Sequence, residues 1–431
     1  MPVDNSRLKG FYKLSVDERR ELIARIANLD EEGLNSLTLG GGLSDQAADN
    51  MIENVIGTMA IPIGIAANFL IDDMQYVVPY AVEESSVVAA ASNMAKRCHN
   101  KGGFRTNCDD SNMIAQIQIL DIEDVQAAIA LIENNKQLLI DECNSLPSRI
   151  ISLGGGCKDI ECRSIDFENG KMLIVHLIVD CLDAMGANAV NTMAELISPS
   201  LERITGGRAH LRILSNLAVY RMARAEAWFT PEEISDDGDF ESGKQIIKGI
   251  IEAYEMAKCD PFRAVTHNKG IMNGISAVAV ACGQDWRAVE ASAHAWASIT
   301  GKYTSMTTWK ISDDGVLHGS IELPLAVGIV GGITKVHPVA KTNLEILGIS
   351  SAKELAGVMA CAGLAQNLGA LRALSTNGIQ KGHMRLHLKN LAVAVGARPD
   401  EIETLEKVLS ESEERVTSEA VERVLNQIRN G

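Results

Sequence analysis

The chain has 431 residues, 46% of them apolar and 22% charged, with a formal net charge of −16. That length buries a sizeable core across two or three domains, and the acidic balance excludes a nucleic-acid surface, which needs a basic stripe to neutralise phosphates. It leaves a nucleotide cofactor open, because a few local donors suffice for one.

The opening stretch MPVDNSRLKGFYKLS has no apolar h-region, and no run of about 18 apolar residues follows, so neither a secretory signal nor a membrane span is expected. Helices are expected at about 16–28 and 44–58, then strands in PIGIAANFLI and MQYVVPYAV. ESSVVAAASNMAKRC reads as a helix with acid and serine residues at its start and Lys96 and Arg97 at its end, both suiting the helix dipole. From about 110 the texture changes. MIAQIQILDI alternates as a strand, and VQAAIALIENNKQLLIDECNS reads as one long amphipathic helix. SRIISLGGGC, the buried-strand run KMLIVHLIVD and a helix from about 188 come next. This strand–helix–strand–strand–helix order predicts a small α/β or α+β domain closing near ITGGRAH, where Gly206 and Gly207 break the pattern. A second α/β block covers about 210–375, with long helices at 242–258, 288–298 and 351–375, and the last 50 or so residues read as an appended helical unit.

The nine cysteines are scattered, with no C-x-x-C pair, which is the pattern of reduced thiols in a cytoplasm. DAMGANAVNTMAE (183–195) follows an apolar strand directly. Gly186 and small residues at such a turn let backbone N–H groups approach a phosphate at the helix N-terminus. The run is not G-x-G-x-x-G, and a plain turn explains it as well. Glu83 and Glu84 in VEESSVVAAAS either complement a helix dipole or supply a partly buried general acid.

In THNKGIMNGI, Asn268 and Gly270 suggest a tight loop presenting Lys269, sixteen residues before Asp285. A lysine held by a buried aspartate stays cationic and points rigidly, as oxyanion stabilisation requires. A loop lysine and a helix-capping Asp285 fit the same residues. GIQKGHMRLHLKN carries His383 and His387 at i, i+4, but no H-E-x-x-H and no acidic third ligand accompany them, so no metal is expected. A histidine after Gly382 in a mobile tail can instead be an acid that closes over a site. Gln366 and Asn367 interrupt the apolar helix LAQNLGALRALS, and buried amides need partners, from the protein or from a ligand.

Taken together, ENVIGT (53–58), VEESSVVAAAS, DAMGANAVNTMAE, THNKGIMNGI, GQDWRAVEA (283–291), GLAQNLGALRA and GIQKGHMRLH resemble 3-hydroxy-3-methylglutaryl-CoA (HMG-CoA) reductase, and most nearly its class II of bacteria and archaea. The likeness runs from about residue 5 to 425 with the motifs in family order. It implies a four-electron reduction of HMG-CoA to mevalonate and coenzyme A with two NADH or NADPH, through mevaldyl-CoA and mevaldehyde. That reaction serves the mevalonate pathway of isoprenoid synthesis, or mevalonate breakdown. The resemblance makes Lys269 the cation for the oxyanion, Asp285 the aspartate that tunes it, Glu84 the proton donor and His383 the acid that protonates the departing thiolate. Arg263, Asn273 and Ser86 resemble the residues that hold the acyl group, and Gln366 and Asn367 resemble part of the coenzyme A side of the pocket. Asp183, Met185, Gly186 and Asn188 match the cofactor motif, and Asn216 falls near the nicotinamide end.

Two positions depart from the family pattern. Ser85 stands where a proline often follows the catalytic glutamate. Pro147 stands seven residues ahead of GGG (154–156), where some NADH-using relatives carry an aspartate for the ribose hydroxyl. Arg149 would pair with a 2′-phosphate while Asp141 and Glu142 would repel one, so coenzyme choice stays open.

The implied fold is α+β or α/β. A large mixed α/β domain (1–110 and 216–376) receives an inserted small NAD(P)-binding domain (111–215) of non-standard dinucleotide fold, and a helical flap (377–431) follows. The likeness also implies a cytoplasmic homodimer or trimer of dimers with its active sites between subunits. Two other readings use the same residues: a thiolase-like or other acyl-CoA enzyme with Cys282 or Cys361 as nucleophile, and a non-catalytic scaffold of this fold.

Overall fold

The structure is a computed structural model that describes residues 2–38, 42–168, 170–376, 388, 391–411 and 417–430. Two sheets organise it. The first comprises β1 (Ile63–Ile71), β2 (Met74–Ala81), β3 (Phe104–Cys108), β8 (Met222–Phe229), β9 (Thr307–Ile311) and β10 (Leu317–Pro324), in the order β2-β1-β3-β8-β10-β9. The second comprises β4 (Asn112–Leu120), β5 (Gly156–Phe167), β6 (Gly170–Asp180) and β7 (Arg208–Ser215), in the order β5-β6-β4-β7. The longer helices are α1 (Val16–Ala27), α2 (Val87–Arg97), α3 (Val125–Asn134), α4 (Lys136–Asn144), α5 (Ala187–Thr205), α6 (Phe240–Cys259), α7 (Pro261–Ala281), α8 (Trp286–Trp296), α9 (Pro338–Leu347), α10 (Ala352–Ser375), α11 (Pro399–Glu411) and α12 (Ser418–Asn430).

The expected α+β class holds, with three local differences. The helix expected at 44–58 shrinks to Asp45–Asp49, and Asn54 in the left-handed region helps keep the residues after it irregular. The single helix expected over 125–145 breaks at Asn135, whose side-chain amide bonds back to Leu131 O at 2.8 Å and competes with helix continuation. Gly206 ends α5 in the left-handed region, but the chain then forms β7, so the second sheet runs on to Ser215.

The second sheet has β-α-β-β-α-β chain order and wholly antiparallel pairing, the ferredoxin-like arrangement and not a doubly wound parallel one. Alternate residues of β4, namely Met113, Ala115, Ile117 and Ile119, face a core shared with α3, α4 and α5. A larger core fills the space around α10. That helix is apolar around its whole circumference, as a central helix must be, and it packs on α2, α6, α7 and β8. A third, separate cluster joins Leu405 and Leu409 of α11 to Val421 and Leu425 of α12. No single helix among the described residues is long and apolar enough to cross a membrane; α9 and α10 pass together but bend by 82° between them.

The second sheet interrupts the first at one point. β3 and β8 are antiparallel neighbours, Cys108 opposite Ala223, and Asp109 N donates to Met222 O at 2.9 Å. The chain therefore leaves and re-enters the large sheet at adjacent strand ends.

Candidate active site

Lys269 lies inside a 21-residue helix and not on a loop, which corrects the reading of THNKGIMNGI. Asp260 caps α7 by accepting from Arg263 N at 2.9 Å, and Pro261 opens its first turn. Asn268, expected to help turn the chain, is fully buried: it donates to Thr304 O at 2.8 Å and accepts from Met306 N at 3.0 Å. Gly274 is required by packing, since a Cβ there would come 2.6 Å from Ala362 O of α10.

Lys269 and Asn273, one helical turn apart, point the same way. Lys269 Nζ meets Glu84 Oε2 at 2.6 Å, and Asn273 Nδ2 donates to the same oxygen at 3.3 Å. Glu84 stands in the bend between β2 and α2. Ser86 closes that bend in the left-handed region (φ 74°), and its hydroxyl does not cap α2. Glu83 is exposed.

Asp285 does not join this group. It caps α8 by accepting from Ala288 N at 3.1 Å and pairs with Arg287 at 3.3 Å. Its side chain is 43% exposed, so within the chain it takes the helix-capping arrangement and makes no contact with Lys269 among the described residues. Asp285 instead lines a cavity of about 820 Å³. Residues of the Ala184–Ala189 turn and of the glycine-bearing loop 328–334 also line it.

Met185, Gly186 and Asn188 line this cavity. Gly186 (φ 97°) opens the 19-residue α5 with no side-chain cap, and a Cβ there would come 2.2 Å from Cys181 Sγ, so only glycine fits. The first N–H groups of α5 are thereby left for an anion. Asp183 faces away: its carboxylate accepts from Ala352 N at 2.8 Å at the start of α10. Asn216 is exposed just beyond β7 and does not line the cavity.

The remaining residues divide. Arg263 is half-buried, and burial draws its guanidinium below the usual arginine value; among the described residues it pairs with no carboxylate. Gln366 is 7% exposed and its Oε1 has no partner among the described residues. Asn367 has protein partners instead of an open face: its Oδ1 accepts from Trp309 Nε1 at 2.8 Å and Thr307 Oγ1 at 2.9 Å. Its Nδ2 lies 3.1 Å from His267 Nε2. Burial and the neighbouring Arg263 push the His267 imidazole down to about 3. His383 and His387 lie outside the described residues. No metal-binding group of side chains occurs among the described ones.

Sequence reasoning missed Gln284, which lines the cavity, and Arg221, which holds the carbonyls of two of its lining residues. Gln284 stands beside Asp285 in GQDWRAVEA, yet is 8% exposed and accepts from Gly328 N at 2.8 Å. Arg221 had no signal at all, because only tertiary structure buries it.

Residues 15–388 match the family model for hydroxymethylglutaryl-coenzyme A reductase. The chain belongs to that family. It is 53% identical over 405 residues to the 3-hydroxy-3-methylglutaryl-coenzyme A reductase of Archaeoglobus fulgidus, covering 94% of this chain and 91% of that one. Its fold superposes on the reductase of Streptococcus pneumoniae with a TM-score of 0.83 at 37% identity, covering 98% of this chain and 99% of that one. A second structure from that organism, a class II reductase bound to NADPH in open conformations, gives 0.82 at 37% identity over 85% of this chain and 99% of that chain. Neither candidate thiol suits a thiolase-like reaction. Cys282 and Cys361 are fully buried, and burial pushes the Cys282 thiol up to about 12 and Cys361 well above its usual value.

Proposed function

We propose that the chain catalyses NAD(P)H-dependent reduction of HMG-CoA to mevalonate and coenzyme A, with Glu84, Lys269, Asp285 and His383 as its catalytic groups. The observation that carries this reading is the Glu84 carboxylate held by Lys269 and Asn273, a proton carrier beside a fixed cation. A thioester carbonyl that accepts hydride develops negative charge on oxygen. The Lys269 ammonium compensates that charge, and Glu84 delivers the proton that neutralises it. The same pair serves the second reduction, since charge returns to the same oxygen when mevaldehyde becomes the alcohol. The departing thiolate needs its own proton, the role assigned to His383 in the 377–431 flap. Arg263, without a carboxylate partner among the described residues, is matched to the acyl carboxylate through a bidentate pair. Asn273 and Ser86 are assigned to the rest of the acyl group, and the unpartnered amide of Gln366 to the coenzyme A side.

The nicotinamide cofactor supplies the hydrides when bound. The chain's residues fit it: Gly186 is a cradle that any Cβ would fill, and the uncapped N-terminus of α5 suits an anion. The unit 111–215 is accordingly assigned to the cofactor, and segments 1–110 and 216–376 to the acyl substrate. Arg149 is exposed without an ion pair among the described residues, which supports acceptance of a 2′-phosphate.

A homodimer in the cytoplasm is part of the proposal. Ile52, Ile56 and Met59 are 64%, 104% and 85% exposed in one irregular stretch, an apolar surface that a second copy would cover. Incubating the purified chain with HMG-CoA and either reduced coenzyme is expected to consume two equivalents of coenzyme per thioester and release free thiol. No oxidation of either coenzyme overturns the reading.

A further inference from the structure

Arg221 follows the bend between β7 and β8 and is 5% exposed, yet no carboxylate among the described residues pairs with it. Its guanidinium donates to main-chain carbonyls instead. Nη1 reaches Ala184 O at 3.1 Å and Met185 O at 3.3 Å, and Nη2 donates to Val327 O. An apolar side chain would fill this space without the cost of desolvating a charge. Core stabilisation is therefore not the distinctive contribution of the guanidinium here; position is.

Two of the carbonyls it joins belong to cavity-lining residues, Ala184 and Met185, and the third to Val327, which directly precedes the lining residue Gly328. Ala184 and Met185 form the turn ahead of α5, which is bracketed by left-handed residues, Leu182 at φ 52° and Gly186 at φ 97°. A turn with a non-glycine residue in that region stores strain and needs outside support. Support comes from the 325–329 loop: Leu325 N donates to Arg221 O at 3.1 Å, and Ile329 N donates to Asp183 O at 2.9 Å. Gly328 lies so close that a Cβ there would come 2.4 Å from Met185 N. Gly328 N in turn donates to the Gln284 amide, one residue before Asp285.

We propose that Arg221 is a positioning residue for the nicotinamide cofactor: its guanidinium clamps the Ala184–Gly186 turn to the Val327–Gly328 loop and so fixes that turn relative to Asp285. The proposal rests on the assignment of the 183–188 turn to the cofactor. Glu84, Lys269, Asn273 and Arg263 lie on other elements and touch none of the carbonyls that Arg221 holds. Loss of the clamp therefore acts on cofactor affinity and leaves HMG-CoA affinity in place.

The test uses the full chain, with dissociation constants for NADH, NADPH and HMG-CoA measured separately by calorimetry, and thermal unfolding alongside. Arg221→Met keeps the length and removes the donors. It is expected to weaken both coenzymes about tenfold or more, while HMG-CoA binding stays within about twofold. Arg221→Lys, with a charge but no planar fork, is expected to fall between the two. Coenzyme affinity unchanged in Arg221→Met overturns the proposal, as does a parallel loss for coenzyme and HMG-CoA. If Arg221→Met does not fold, Arg221→Lys and Gly328→Ala, which pushes on Met185 N from the other side, decide it: wild-type coenzyme affinity in both overturns the clamp. Coenzyme binding that is indifferent to Asn188→Ala overturns the cofactor assignment of the turn, and this proposal with it.

Discussion

Lys269 is 61% exposed and among the described residues its side chain pairs with Glu84 alone, so removing it costs the core nothing. Lys269→Ala is expected to lower turnover by about 10³ or more while the unfolding temperature stays unchanged. Activity within a factor of ten of the parent would remove the lysine from the reaction. His267 has the opposite character. It is buried among Ser305, Thr307 and Asn367, beside Arg263, and its imidazole falls to about 3 from an unfolded value of 6.5. The unfolded chain takes up this proton first on acidification, so the stability His267 contributes is whole above about 6.5 and drains away as pH falls toward 3. His267→Gln keeps a donor and an acceptor without that titration. Its stability is expected to fall less between pH 6.5 and 4.5 than the parent's, as followed by chemical denaturation; identical pH profiles would count against the assignment. The residues proposed to carry the chemistry were legible because Glu84, Lys269 and Asn273 sit in short motifs, and the fold brings those three side chains together. Their pairing was not, because choosing between Glu84 and Asp285 as the partner of Lys269 requires knowing where β2 ends relative to α7.

At the scale of elements, α7 shows why local reading placed a loop where a helix runs. Gly270, Gly274 and two asparagines are poor helix formers in isolation. Gly274 and Gly363 instead mark where α7 and α10 approach one another, since a Cβ on Gly363 would come 2.8 Å from the Ile275 side chain. Gly270 has open space around it. The two glycines should therefore respond in opposite directions. Gly274→Ala is expected to destabilise the protein by about 1–3 kcal/mol through overpacking, and Gly270→Ala to stabilise it by about 0.5–1 kcal/mol through helix propensity. Denaturant midpoints measured on the two variants check this, and equal shifts would mean that helix proximity is not what Gly274 serves. Elements with strong periodicity, such as β4, β6 and α10, were readable to within a few residues. The break at Asn135 and the extension into β7 depended on a side chain competing with its own backbone and on a sheet edge waiting to be paired.

Across the whole molecule, the acidic balance excluded a nucleic-acid surface and the motif order pointed to the family, but the surface proposed to meet another copy of the chain leaves only a faint mark on sequence. Ile56 is fully exposed within the irregular stretch ahead of β1, where an isolated protein gains nothing from an isoleucine. Ile56→Lys is expected to shift the sedimentation profile from dimer toward monomer and to reduce activity at low protein concentration. A parent that sediments as a monomer would rule out the dimer.

The single junction at β3 and β8 carries a consequence for how this architecture can be rebuilt. Because Cys108 and Ala223 are already neighbours, residues between them form in effect one giant hairpin loop whose ends are pinned by the sheet. Lengthening or exchanging such a loop costs little closure entropy. The unit proposed for the cofactor can therefore be exchanged for a relative's across that seam, provided the graft keeps the match to the loop that Arg221 grips and to the start of α10 that Asp183 caps.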